Sequence, residues 1–185
     1  MHALQDPPSA LTPAQLKAGL WADARLRVHA VVMGQRVPDL PTRLAAADGL
    51  LHECLLPGAL EPARRRQAPH LVTLGPDAPL TDWLLFEAAA GLGDWGLLVL
   101  AEAPRLALRQ HLRQLLKARL PQGPVIDLDW MDPAVLDCLL PALDPAGCRA
   151  FFGPVRSFVV PAATEWRHYE APLGTLRITR QACMR

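Results

Sequence analysis

Apolar residues along the chain recur in two periods, and the switches between them mark alternating strands and helices. Residues 28–33 are apolar and β-branched and stop at Gly34, which predicts a buried strand. His70-Leu71-Val72-Thr73-Leu74, closed by Gly75-Pro76, predicts a second strand, and residues 95–101 a third. Thr12-Pro13 puts a capping hydroxyl and an N1 proline ahead of an opening helix over 14–20. Further helices are predicted over 38–47, stopped by Asp48-Gly49, and over 80–90, ended by Gly91. Residues 50–60 are apolar but broken by Pro57-Gly58 and receive no assignment.

The strongest periodicity lies in 104–120. Leu108, Leu112, Leu116 and Leu120 follow one another at i+4, with Leu115 beside them. Arg105, Arg109, Arg113 and Lys117 form a second i+4 row on the other face, with no acidic residue in the helix to balance it, which allows a phosphate or an acidic partner, set against intramolecular pairing or a solvated helix face. A turn at Pro121-Gln122-Gly123-Pro124 leads to a strand over 125–130 whose second half alternates apolar and polar. Asp132-Pro133 and Asp144-Pro145 each place a carboxylate at an N-cap and a proline at N1, predicting two short helices, the second ending at Gly153-Pro154. Late strands are predicted over 157–160 and 166–170, followed by a basic tail over 176–185 without an assigned element. Strands alternating with helices predict an α/β fold, a single domain in which a mixed β-sheet is flanked by helices, with a short C-terminal extension.

Composition narrows the function. The 185 residues suit one domain with a real core, and a 51% hydrophobic share against 20% charged excludes a disordered chain. A net charge of +1 argues against a nucleic-acid partner. No charge-free run approaches the ~20 apolar residues of a membrane span. The first residues lack a basic start followed by an apolar stretch, so a cytoplasmic location is expected. Cys54, Cys138, Cys148 and Cys183 never reach C-x-x-C spacing, which reads as reduced structural thiols with neither zinc nor redox chemistry.

Three constellations bear on chemistry. Gly91-Leu92-Gly93-Asp94-Trp95-Gly96 spells G-x-G-x-x-G, but these glycines follow a helix and enter a strand, the reverse of a dinucleotide fingerprint. They read as a helix end and loop. Asp127 and Asp129, with Asp132 nearby, allow a metal or acid/base pair, set against a solvent-facing strand end and a helix cap. His111 and Cys138 allow a base and a nucleophile, set against a buried thiol beside Leu139-Leu140. No G-x-S-x-G elbow, Walker loop or H-E-x-x-H pair occurs. A small α/β hydrolase or nucleotide-binding enzyme is therefore the alternative reading, with no catalysis and no cofactor the expected one.

A set of ordered pieces carries a family resemblance. His111-Leu112-Arg113-Gln114-Leu115-Leu116 is followed by a turn and strand, then Met131-Asp132-Pro133-Ala134-Val135-Leu136, and then Phe151-Phe152-Gly153-Pro154-Val155. Upstream stand Ala68-Pro69-His70-Leu71-Val72 and Gly93-Asp94-Trp95-Gly96. In order and spacing this stretch, over 28–161, resembles the type VI secretion effector-chaperone adaptors. The resemblance implies a non-enzymatic adaptor that binds an effector toxin and helps place it on the spike protein VgrG. It divides the chain into an N-terminal helical segment (1–25), an adaptor domain (26–161) and a C-terminal extension (162–185).

Where such a partner would bind is a separate question. Aromatic and arginine side chains are the usual interface anchors. Trp166 and Tyr169 lie beyond the block of resemblance, and Arg109 and Arg113 lie on the basic row. The expectation is that Trp166 and Tyr169 anchor the effector while Arg109 and Arg113 orient it, against the alternative that the aromatics cover the sheet edge of their own domain and the arginines are merely solvated.

Overall fold

β1 (Arg27–Met33) lies inside a seven-stranded sheet, between β3 (Pro69–Thr73) and the central strand β4 (Gly96–Ala101). β2 (His52–Cys54) lies outside β3 as one edge. Beyond β4 come β7 (Val155–Val160), β8 (Glu165–Glu170) and, at the other edge, β9 (Arg177–Ala182). A separate hairpin pairs β5 (Lys117–Arg119) with β6 (Val125–Asp127). The computed structural model describes residues 10–119 and 122–184. The chain start, Leu120 and Pro121 of the predicted helix and turn, and Arg185 lie outside the described residues.

Both faces of the sheet are covered, which is why its central strands read as near-continuous apolar runs, with His29 the polar exception on β1. Alternation along β1 sends Ala30 and Val32 into one core and Val31 and Met33 into the other. The first core is closed by α1 (Pro13–Leu20), α2 (Leu40–Ala45) and a continuous helical stretch. That stretch runs from α4 (Pro79–Asp82) through a π-helical turn (Trp83–Ala88) into α5 (Ala89–Gly91). The second core is closed by α6 (Arg105–Gln114), α7 (Pro133–Leu139) and α8 (Pro145–Phe152), with the Phe158 ring in contact with those of Trp130, Phe151 and Phe152. One further helix, α3 (Pro62–Gln67), buries no side chain.

The predicted caps are present. Thr12 accepts from the Gln15 backbone N–H in a capping box, Asp132 from Ala134 at 2.9 Å, and Asp144 from Gly147 at 2.6 Å.

Alternating strands and helices predict a mixed sheet, yet each pairing between the named strands is antiparallel. The helical crossover from β3 to β4 puts β1 between these two like-directed strands, so they never pair with each other. Among the described residues, parallel pairing is confined to an isolated bridge between Leu11 and Cys183.

The helix predicted over 104–120 stops at Gln114, because residues 117–119 form backbone pairs with 125–127. The basic tail is β9, bonded along its length to β8. The segments on either side of 26–161 share its cores: Leu16, Leu20 and Trp166 join the first, and Tyr169 joins the second.

Candidate partner-binding site

On α6, Leu108 and Leu112 are fully buried against the sheet, as the i+4 leucines predict. Arg105, Arg109 and Arg113 lie on the flank toward edge strand β2. There the Glu53 carboxylate bridges two guanidiniums, with Oε1 2.6 Å from Arg105 Nη1 and Oε2 2.5 Å from Arg109 Nη1. Arg113 donates from Nε to the Leu55 carbonyl at 2.9 Å and from Nη2 to the Cys54 carbonyl at 3.0 Å. It thereby caps backbone acceptors at the end of an edge strand, the kind of group that otherwise invites a second chain. Lys117 belongs to β5 and pairs with Asp127.

The basic row is thus three arginines with partners brought from elsewhere in the chain, not an unbalanced stripe of four. Sequence reasoning missed Glu53, whose only signal was a lone carboxylate in the stretch over 50–60. One carboxylate for two guanidiniums leaves the cluster net positive. Nε and Nη2 of Arg105 and Nε of Arg109 are buried without an acceptor among the described residues. Arg105 also acts on His29, fully buried on β1 and 3.1 Å from the Thr73 hydroxyl through Nδ1. Burial first, and then the charges of Arg105 and Arg27, hold the His29 pKa down at about 4. The imidazole is neutral at pH 7.

Trp166 and Tyr169 stand elsewhere. Trp166 is 1% exposed in the first core and Tyr169 is fully buried in the second, as their opposite parity on β8 requires. The Tyr169 hydroxyl donates to Asp137, which also pairs with Arg167. Burial, and then that bond to a carboxylate, raise the Tyr169 pKa. Neither ring offers surface to a partner, so the expectation that they anchor an effector is corrected. Aromatic character on an alternating strand reflects core packing here.

The remaining chemical constellations have structural roles. Gly91 ends α5 and Gly96 opens β4 at φ +142, where a Cβ would come 2.0 Å from the Val31 carbonyl oxygen. The glycine motif therefore serves close strand approach ahead of a strand, not a phosphate ahead of a helix. Asp127 is exposed beside Lys117, and Asp132 combines its capping bond with an ion pair to Arg36 at 3.2 Å. Among the described residues no group of three or more His, Cys, Asp or Glu side chains is placed to hold a metal. His111 donates from Nε2 to the Phe151 carbonyl at 2.8 Å, while Cys138, expected to be a buried thiol, is exposed on α7.

Residues 28–150, from β1 into α8, match the model of a family described as a domain of unknown function, DUF4123. The chain belongs to the DUF4123 family. No curated protein and no solved structure matches it. The DUF4123 match takes in Glu53 and the α6 arginines, whereas Trp166 and Tyr169 lie beyond it. Among the described residues no helix is long and apolar enough to cross a membrane.

Proposed function

We propose that this DUF4123 protein is a non-enzymatic adaptor that binds a type VI secretion effector in the cytoplasm and assists its loading onto the spike protein VgrG. Family membership over 28–150 is the observation that carries the reading, joined to the sequence resemblance of its motif pieces to effector-chaperone adaptors.

The structural roles of the motif residues support it. His111 ties α6 to the end of α8, Arg113 ties α6 to β2, and Asp132 caps α7 while pairing with the loop after β1. A scaffold built this way leaves other surfaces to vary with the partner, as an adaptor dedicated to one effector requires.

Co-expression with the product of the neighbouring gene tests the binding step. The two proteins are expected to co-purify as a stable complex, with the product more soluble than when expressed alone. Expression of that product in equally soluble form without the adaptor, and no co-purification, would contradict the reading.

A further inference from the structure

We propose that the groove between α2, α3 and the β2–β3 edge binds an acidic, apolar-anchored peptide segment of the partner protein. The proposal deepens the adaptor reading and rests on it.

The groove has a volume of about 610 Å³. That lies within the ~300–1,000 Å³ typical of built ligand sites, enough for a few side chains. Pro41 and Leu44 of α2 and Pro62 of α3 supply apolar walls, and His52 and His70 project from β2 and β3. Arg65 and Arg66 form its rim. Glu53 reaches the lining too, but its carboxylate is held by Arg105 and Arg109.

The helix carrying this rim buries no side chain and is tied to the loop after β1 through its backbone, the Gln67 carbonyl accepting from the Gln35 N–H at 3.1 Å. A short helix that buries nothing is not stabilised by its own core contacts, so the character of its surface carries its purpose. Arg64, Arg65 and Arg66 are all exposed, and none takes part in an ion pair among the described residues. This contrasts with the α6 arginines, which are held by Glu53 and backbone carbonyls.

Carboxylates meeting Arg65 and Arg66, with an apolar side chain between the prolines, complete both halves of the site. A nucleic acid would call for basic charge spread along an extended surface, whereas this charge occupies one short helix in a chain of net charge +1.

The test uses the complete chain and a fluorescein-labelled peptide of alternating Glu and Leu, read by fluorescence anisotropy. Saturable binding is expected, weakened about tenfold when Gln replaces each Glu, and weakened similarly by Arg65→Glu with Arg66→Glu. A control pair, Arg156→Glu with Arg177→Glu, makes the same change in net charge away from the groove and should leave affinity within about twofold. No saturable binding, or equal loss in both pairs, overturns the proposal. Binding to phosphatidylserine vesicles in place of the peptide, abolished by the Arg65 and Arg66 substitutions, also overturns it.

Effector co-purification with the same variants separates this proposal from the adaptor reading. An effector retained equally by the wild type and by the Arg65/Arg66 variant overturns the groove alone. An effector held by neither overturns the adaptor reading, and the peptide titration still decides the groove.

Discussion

The His111 ring, fixed by its Nε2 bond to the Phe151 carbonyl at 2.8 Å, lies directly against Gly153. A Cβ at Gly153 would come 2.4 Å from His111 Cε1, and the glycine holds φ +48 with ψ −115. Two motif pieces far apart in sequence are therefore one contact in the fold.

Gly153→Ala meets both a disfavoured backbone conformation and a ring whose hydrogen bond keeps it from stepping aside. The substitution is expected to destabilise the protein by ~2–4 kcal/mol. Urea denaturation checks this, and an unchanged midpoint would show that the contact yields freely.

Glu53→Gln removes the carboxylate between Arg105 and Arg109 and leaves two half-buried guanidiniums facing one another. A loss of ~1–3 kcal/mol is expected, smaller at high salt because screening eases the repulsion between the arginines. Thermal melts at low and high ionic strength measure it. Identical melting of wild type and variant at both would mean that the cluster does not hold β2 to α6.

His29 gives a pH dependence whose sign follows from its depressed pKa. An unfolded imidazole takes up its proton near pH 6.5, while the folded one does so only at about pH 4. Between those values the unfolded chain binds more protons, so stability is complete above pH 6.5 and falls as pH drops toward 4. The contribution is on the order of 3 kcal/mol. His70 and His168, also lowered chiefly by burial, act in the same direction. Unfolding free energies measured from pH 7 to pH 4 should fall less steeply in His29→Leu, and parallel curves would refute the assignment.

Trp166 and Tyr169 should behave as core residues. Trp166→Ala is expected to cost ~3–5 kcal/mol, and Tyr169→Phe ~1–2 kcal/mol as Asp137 keeps only Arg167. Folded Tyr169→Phe should bind its partner as the wild type does. Weakened binding with unchanged stability would return Tyr169 to the interface.

Elements specified locally were legible in the sequence. Thr12-Pro13, Asp132-Pro133 and Asp144-Pro145 begin helices through their own side chains, and the apolar runs of β1 and β4 announce strands buried on both faces. Elements specified by a distant partner were not. His52-Glu53-Cys54 is a strand because β3 pairs with it, and Lys117-Ala118-Arg119 leaves the helical pattern because 125–127 offers backbone partners. The arginines of α6 were visible as a row, but a single sequence shows charges without showing that Glu53 meets two of them. The aromatic residues of β8 were visible as anchors, yet only the sheet shows that their anchoring is internal.

Whether the protein links an effector to the secretion spike is decided by recovery of the effector with VgrG from cells that contain or lack this protein. Effector is expected on the spike protein when the DUF4123 chain is present, with little or none when it is absent, at equal effector levels. Equal recovery in the two cases would contradict it.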